Sequence, residues 1–381
     1  MIRPDYNYSI VNLVSSLILA SGGKPRGYAP LVGLEERELS GRPLVLLVID
    51  GLGDSFLGNF PDSFLFRHRK RRLSSVFPPT TATAVTSFYT GVGPRQHGII
   101  GWYTFFKEMG TVATVLPFRP RYGGPSFSGA GVSPAQFIGS DSLFNSLDIP
   151  CHVVLPHYLI DSGYSRTLSG KAQRHSYEDL AGMFARLENL AVSGKAGMVI
   201  AYLPDLDSLA HEKGISSPEV KTLFRELDRQ CQTFLPEVAD SGATVLISAD
   251  HGLVDSSADR VIHLNDHPRL ASTLALPLCG DPRCAYCYVR PERQGDFEHY
   301  IDHELGFACE LKTGRDLIRE GYFGPGPSSP RLEERIGDYA LLMRDNYVIK
   351  DCLLTEDRAS EQKGVHGGLT EEELYVPLIL L

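Results

Sequence analysis

Four separated segments carry side chains of the kind that hold divalent cations. Asp50 ends the apolar run LVLLVI in VIDGLG. Asp207 and His211 stand four apart in LPDLDSLAHEKG, a spacing that puts both on one face of a helical turn and within reach of one ion. Asp250 and His251 are neighbours in ISADHGL, where a turn after a strand can splay them toward one centre. His366 lies in GVHGGL, and its flanking glycines let the backbone bend close to a site. Each piece alone has an ordinary reading. Asp-Gly makes turns, an Asp and a His four apart make a solvated helix face, and a His in a Gly-rich loop sits at the surface. Together they supply three carboxylates and three imidazoles, a donor set for divalent metal.

A hydroxyl candidate lies in VFPPTTATAVT, Val76 to Thr86. Thr80 and Thr81 stand just before a run of small and apolar residues that reads as a helix. A hydroxyl at a helix N-terminus meets the positive end of the dipole, which favours an alkoxide and an incoming phosphate. The plainer role there is a helix cap, worth about 1 kcal/mol.

These residues need a scaffold. Leu44–Ile49, His152–Leu155, Met198–Leu203 and Thr244–Ser248 are short runs rich in Val, Ile and Leu, the pattern of strands buried on both faces. Between them, Thr81–Tyr89, Tyr177–Val192 and Pro218–Ala239 have helical spacing. The alternation predicts an α/β fold with a mostly parallel central sheet and helices on both faces. Ligands of such sheets bind beyond the carboxyl ends of the strands, where Asp50, Asp207 and Asp250 fall. From 259 to 351 the texture changes to short strands and short helices of higher charge. This predicts a small α+β cap inserted into a core of 1–258 and 352–381. Gly123–Ser133 reads as a Gly/Ser-rich surface loop.

Composition narrows the partners. The net charge of −9 argues against a nucleic-acid duplex, which needs a basic face. No apolar run reaches the ~20 residues of a membrane helix, so no membrane partner is expected. Ser9–Ala20 is apolar like a signal-peptide core, but Asp5 precedes it and no small-residue cleavage site follows. It reads as an amphipathic helix packing on the core. Of seven cysteines, Cys279, Cys284 and Cys287 cluster as CGDPRCAYC without a fourth ligand at a zinc spacing, and Cys287 reads as a buried small hydrophobe. Free thiols in this number suit the cytoplasm.

In this order the motifs resemble the alkaline phosphatase superfamily, and within it the type I phosphodiesterase/nucleotide pyrophosphatase family. Asp50-Gly51 matches the family's opening Asp-Gly. Phe77 to Ile99 matches its nucleophile segment, with the register set by Thr90-Gly91, Pro94 and His97-Gly98-Ile99. That register implies Thr81, not Thr80, as nucleophile. Asp207 to His211 matches D-x-x-G-H with Ala210 in place of glycine, Ala249 to Gly252 matches S-D-H-G, and Gly364 to Gly367 matches G-x-H-G.

The resemblance implies two divalent metals, one on Asp207, His211 and His366, the other on Asp50, Asp250, His251 and the Thr81 oxygen. Such donors suit zinc, with manganese second. It also implies in-line displacement on a small phosphoester, a nucleotide being one candidate, through a phosphothreonine that water then hydrolyses. Where the family pattern places an asparagine, three residues after the nucleophile, the chain has Ala84. Two divalent ions against three carboxylates and an alkoxide leave a near-neutral site, which favours a monoanionic diester. A monoesterase would want a further cation, for which Arg95, Arg119 and Arg121 are candidates. His97 reads as structural. The competing readings are a phosphomonoesterase or phosphonate hydrolase on the same site, and a non-catalytic metal-binding protein. A sulfatase is disfavoured because Thr81 is neither Cys nor Ser.

Overall fold

Three of the apolar runs become adjacent parallel strands, with Leu44–Ile49 in the middle, Met198–Leu203 on one side and Thr244–Ser248 on the other. Every residue of the three is buried, so both faces of the sheet are covered. The computed structural model describes residues 1–34, 36–192, 197–239, 241–354 and 362–381. Across the sheet the order is Arg69–Ser74, Tyr375–Leu380, Thr244–Ser248, Leu44–Ile49, Met198–Leu203, Cys151–Pro156, Gln173–Tyr177. The last five are parallel, and Tyr375–Leu380 runs antiparallel to both its neighbours, Thr244–Ser248 and Arg69–Ser74. The α/β architecture is therefore the expected one.

Arg69–Ser74 (RKRRLS) and Gln173–Tyr177 (QRHSY) escape a hydrophobic pattern search because they are edge strands with mostly polar, partly exposed side chains. The Gln173–Tyr177 strand takes Tyr177, and the helix expected from there begins at Leu180.

A second sheet is antiparallel throughout, in the order Cys309–Thr313, Tyr339–Met343, Cys284–Cys287, Cys279–Asp281, Tyr103–Phe106, Thr111–Thr114, Arg119–Pro120. Four of these strands come from inside 259–351. The other three come from 103–120, joined through the Gly280–Tyr103 pairing. Gly101 and Gly280 make that junction possible: a Cβ on Gly101 would lie 2.6 Å from the Gly280 Cα.

The helix Ile10–Ala20 corrects one expectation. It is not amphipathic, since Ile10 to Ile18 are all buried. Its polar residues are satisfied by the segment that wraps it: Asn12 donates to the Ala29 carbonyl, Ser15 to the Tyr28 carbonyl, and Leu31 N–H donates to Ser16. Among the described residues, no helix is long and apolar enough to cross a membrane. All seven cysteines are unpaired. Cys279, Cys284 and Cys287 are core residues whose thiols are pushed up by burial, that of Cys279 to about 12. No cysteine joins a metal-holding cluster among the described residues.

Candidate metal centre and active site

The three central strands deliver one carboxylate each to the same edge. Asp50 is the first residue past Leu44–Ile49 and Asp250 the second past Thr244–Ser248. Asp207 stands in the first turn of the helix Asp205–Lys213, which follows Met198–Leu203. The chain turns sharply after Asp50 at Gly51, whose φ is +77° and where a Cβ would meet Leu253 Cδ1 at 2.6 Å and Asp207 Cβ at 3.1 Å. Only glycine lets these loops approach so closely.

The six donors form two triads. In one, Asp207 Oδ2 lies 3.1 Å from His211 Nε2 and Asp207 Oδ1 lies 3.9 Å from His366 Nε2. In the other, His251 Nε2 lies 3.3 Å from Asp50 Oδ1 and 3.4 Å from Asp250 Oδ2. Within each triad the donor atoms all lie within 4.8 Å of one another. Backbone carbonyls set the ring orientations. His211 Nδ1 donates to the Gly364 carbonyl at 2.7 Å and His251 Nδ1 to the Gly252 carbonyl at 3.1 Å. Each ring then carries its proton on Nδ1 and turns the Nε2 lone pair into the site.

The two threonines part company. Thr81 is the first residue of the helix Thr81–Thr90, and its Oγ1 lies 3.1 Å from His251 Nε2 and 3.5 Å from Asp50 Oδ2. Thr80, the N-cap, turns its hydroxyl away to Asp281 Oδ1 at 3.0 Å. Only the Thr81 oxygen stands beside a triad.

The electrostatics fit a pair of cations. Burial, then Asp250 and Asp207, hold the Asp50 carboxyl well above the usual range. Burial also raises Asp250. For Asp207, burial is outweighed by His211, His366 and His251, and its carboxyl is held below the usual range. One oxygen of each carboxylate (Asp50 Oδ1, Asp207 Oδ1 and Asp250 Oδ2) is buried with no hydrogen-bond donor. Buried carboxylate oxygens facing one another without donors are costly unless positive charge joins them. The imidazoles of His211, His251 and His366 stand among them, and this donor set fits divalent metal.

The profile of type I phosphodiesterase / nucleotide pyrophosphatase matches residues 44–369. The chain belongs to that family. No curated protein sequence matches it. Among solved structures it is similar to human ectonucleotide pyrophosphatase / phosphodiesterase 5, at 13% identity, TM-score 0.66 and coverage of 89% of this chain and 87% of that one. The murine protein, in an inactive form in complex with AMP, aligns at 13% identity, TM-score 0.63 and 88% and 87% coverage. Phosphonoacetate hydrolase from Sinorhizobium meliloti 1021, in complex with phosphonoacetate, aligns at 18% identity, TM-score 0.62 and 89% coverage of each chain. At these identities the likeness is one of fold.

In this family member the triads open onto a cavity of about 660 Å³ between the edge of the first sheet and the second sheet. Its walls include Trp102, Tyr158, Tyr164 and Tyr202, with Leu155, Leu159, Leu278 and Ile349 among the aliphatic residues. Of the three candidate arginines only Arg121 lines it. Its guanidinium is already committed to Asp351 and the Leu278 carbonyl, and it lies 3.9 Å over the Tyr103 ring. Arg95 is turned to Ser328, and Arg119 is exposed. Ala84 is fully buried in the core and absent from the cavity wall.

Two residues of the site had no sequence signal. Tyr202 donates its hydroxyl to Asp50 Oδ2, and Asp281 holds Thr80 and the Trp102 N–H. Tyr202 sits inside an apolar strand, where a tyrosine reads as core. Asp281 sits in a Gly-Asp-Pro turn, where aspartate reads as a turn former.

Proposed function

We propose that the protein is a two-metal phosphodiesterase of the nucleotide pyrophosphatase type, acting on a small phosphoester through Thr81. The observation that carries this reading is the position of Thr81 Oγ1, at a helix N-terminus and 3.1 Å from His251 of one triad, with the second triad alongside. Asp207, His211 and His366 would hold one ion; Asp50, Asp250, His251 and the Thr81 oxygen would hold the other. The mixed donors favour zinc, with manganese second. When bound, the ions supply Lewis acidity to the hydroxyl and to the phosphoryl group.

The chain's own part follows from its geometry. The helix Thr81–Thr90 presents its positive end to the incoming phosphoryl group. Thr81 Oγ1 attacks phosphorus, the bond to the leaving oxygen breaks, and a phosphothreonine remains. Water then attacks the same phosphorus and restores the threonine. The aromatic and aliphatic walls take the remainder of the substrate, and a nucleotide is one candidate. With Arg121 neutralised by Asp351, the cavity suits a monoanionic diester better than a dianionic monoester. Seven unpaired thiols support a cytoplasmic setting.

The deciding experiment compares hydrolysis of bis-p-nitrophenyl phosphate and p-nitrophenyl phosphate by zinc- or manganese-loaded protein. A higher kcat/KM on the diester supports the proposal. Preference for the monoester, or for a phosphonate, moves the protein to the neighbouring chemistry of the same site. Two bound metals without turnover of any of these would make it a binding protein.

A further inference from the structure

A β-hairpin of the second sheet touches both halves of the site through two residues of its turn. Asp281 ends one strand and Arg283 immediately precedes the next. Asp281 Oδ1 accepts from Thr80 at 3.0 Å and Oδ2 from the Trp102 N–H at 3.3 Å. Arg283 is completely buried. Its Nε and Nη2 donate to the two oxygens of Glu373 at 2.9 and 2.6 Å, and its remaining donors reach the carbonyls of Arg344, Asp345 and Tyr347. Glu373 Oε1 also accepts from Gly368 N–H at 2.7 Å, two residues past His366. The Glu373 carbonyl accepts from Gly252 N–H at 2.9 Å, one residue past His251.

The His366 loop threads through this assembly with no room to spare. A Cβ on Gly367, where φ is +107°, would lie 3.1 Å from the Asp281 Cβ, and a Cβ on Gly368 would lie 2.6 Å from Arg283 Nη2. A buried ion pair adds little stability over a packed apolar pair of similar volume. Its fixed, bidentate geometry is what an apolar pair lacks.

We propose that the turn Asp281-Pro282-Arg283 is a positioning strut. Arg283, through Glu373 and Gly368, sets His366 in its triad, and Asp281, through Thr80, sets the start of the helix that carries Thr81. The proposal rests on reading His366 as a metal ligand and Thr81 as the nucleophile.

The test is calorimetric titration of metal-stripped, full-length protein with zinc. Wild type takes up two equivalents. The double variant Arg283→Met/Glu373→Gln leaves no unpaired buried charge. It should weaken one equivalent roughly 10- to 100-fold, the usual cost of losing an outer-shell partner, and leave the other unmoved. The weakened equivalent should be the one that His366→Ala abolishes. Gly368→Ala, which wedges the same contact without touching either charge, should weaken the same equivalent and serves if the double variant does not fold. Asp281→Asn should lower kcat about tenfold or more while both zinc affinities and KM stay at wild-type values. Wild-type affinity for both equivalents in a folded Arg283→Met/Glu373→Gln or Gly368→Ala protein, or wild-type kcat in Asp281→Asn, overturns the strut. Wild-type protein that takes up no zinc or manganese overturns the metal-site reading itself.

Discussion

The imidazole of His366 lies flat on that of His251, with ring centroids 3.8 Å apart and planes 25° apart. The two residues belong to different triads and come from different parts of the chain, so the stack fixes the spacing between the triads. Burial, then the neighbouring His251, holds His366 well below the usual imidazole range. A neutral ring is what a stack of two imidazoles and a metal both require.

Thr81→Ala should abolish turnover, lowering kcat by roughly three orders of magnitude or more, on the order of 4 kcal/mol of transition-state stabilisation. Metal content should stay near two equivalents, because the six side-chain donors are untouched. Thr80→Ala should act far more mildly, since its hydroxyl faces Asp281. Steady-state kinetics with metal analysis of both proteins checks this, and a dead Thr80→Ala beside an active Thr81→Ala would reverse the assignment.

Chelation should stop hydrolysis and also lower thermal stability at neutral pH, because Asp50, Asp207 and Asp250 lose the charge that balances their burial. Ligand linkage sets the scale: an ion present at about 100 times its Kd adds about 2.7 kcal/mol. Melting curves in chelator, then with zinc or manganese restored, read this directly. An unchanged Tm would mean that the carboxylates are neutralised by protons alone.

Tyr202→Phe removes the hydroxyl that binds Asp50 Oδ2 and leaves the ring in place. Zinc affinity at the Asp50, Asp250 and His251 triad should fall roughly 10- to 100-fold, while the other triad is spared. Calorimetric titration separates the two. Equal weakening of both equivalents would count against the division into triads.

His97 provides a pH test away from the metal centre. Burial, then the charge of Arg335, pushes its imidazole down to about 3. It accepts from the Ile99 N–H at 3.0 Å through Nδ1 and donates to Ser87 from Nε2 at 2.9 Å, so both nitrogens are used by the neutral ring. The unfolded chain binds the proton near the ordinary value of 6.5, the folded one only near 3. The neutral ring's contribution is therefore complete above about pH 6.5 and is lost as pH falls toward 3. At about 1.4 kcal/mol per unit this amounts to a few kcal/mol. Denaturant unfolding of wild type and His97→Gln between pH 7 and pH 4 should show a smaller acid-side loss in the variant. Parallel curves would remove His97 as the cause.

Much of this site could be read from the sequence because its parts are local. The turn of Asp50-Gly51, the i, i+4 pair Asp207 and His211, the adjacent Asp250 and His251, and the glycines around His366 each express a short-range rule. Apolar runs such as Leu44–Ile49 mark the central strands because burial on both faces demands them. Thr81 is distinguished from Thr80 in the sequence by family resemblance and register, and the folded helix start separates the two hydroxyls.

The rest of the site depends on pairings between distant segments whose residues look ordinary where they stand. The strands of 103–120 join those of 279–343 in one sheet through Gly280 and Tyr103. Tyr202 meets Asp50, Arg121 meets Asp351, and Arg283 meets Glu373, at separations of 152, 230 and 90 residues. Hydrogen bonds and ion pairs between such segments leave no period in the chain. Their partners are set by the packing of whole elements, and they become visible only once those elements are in place.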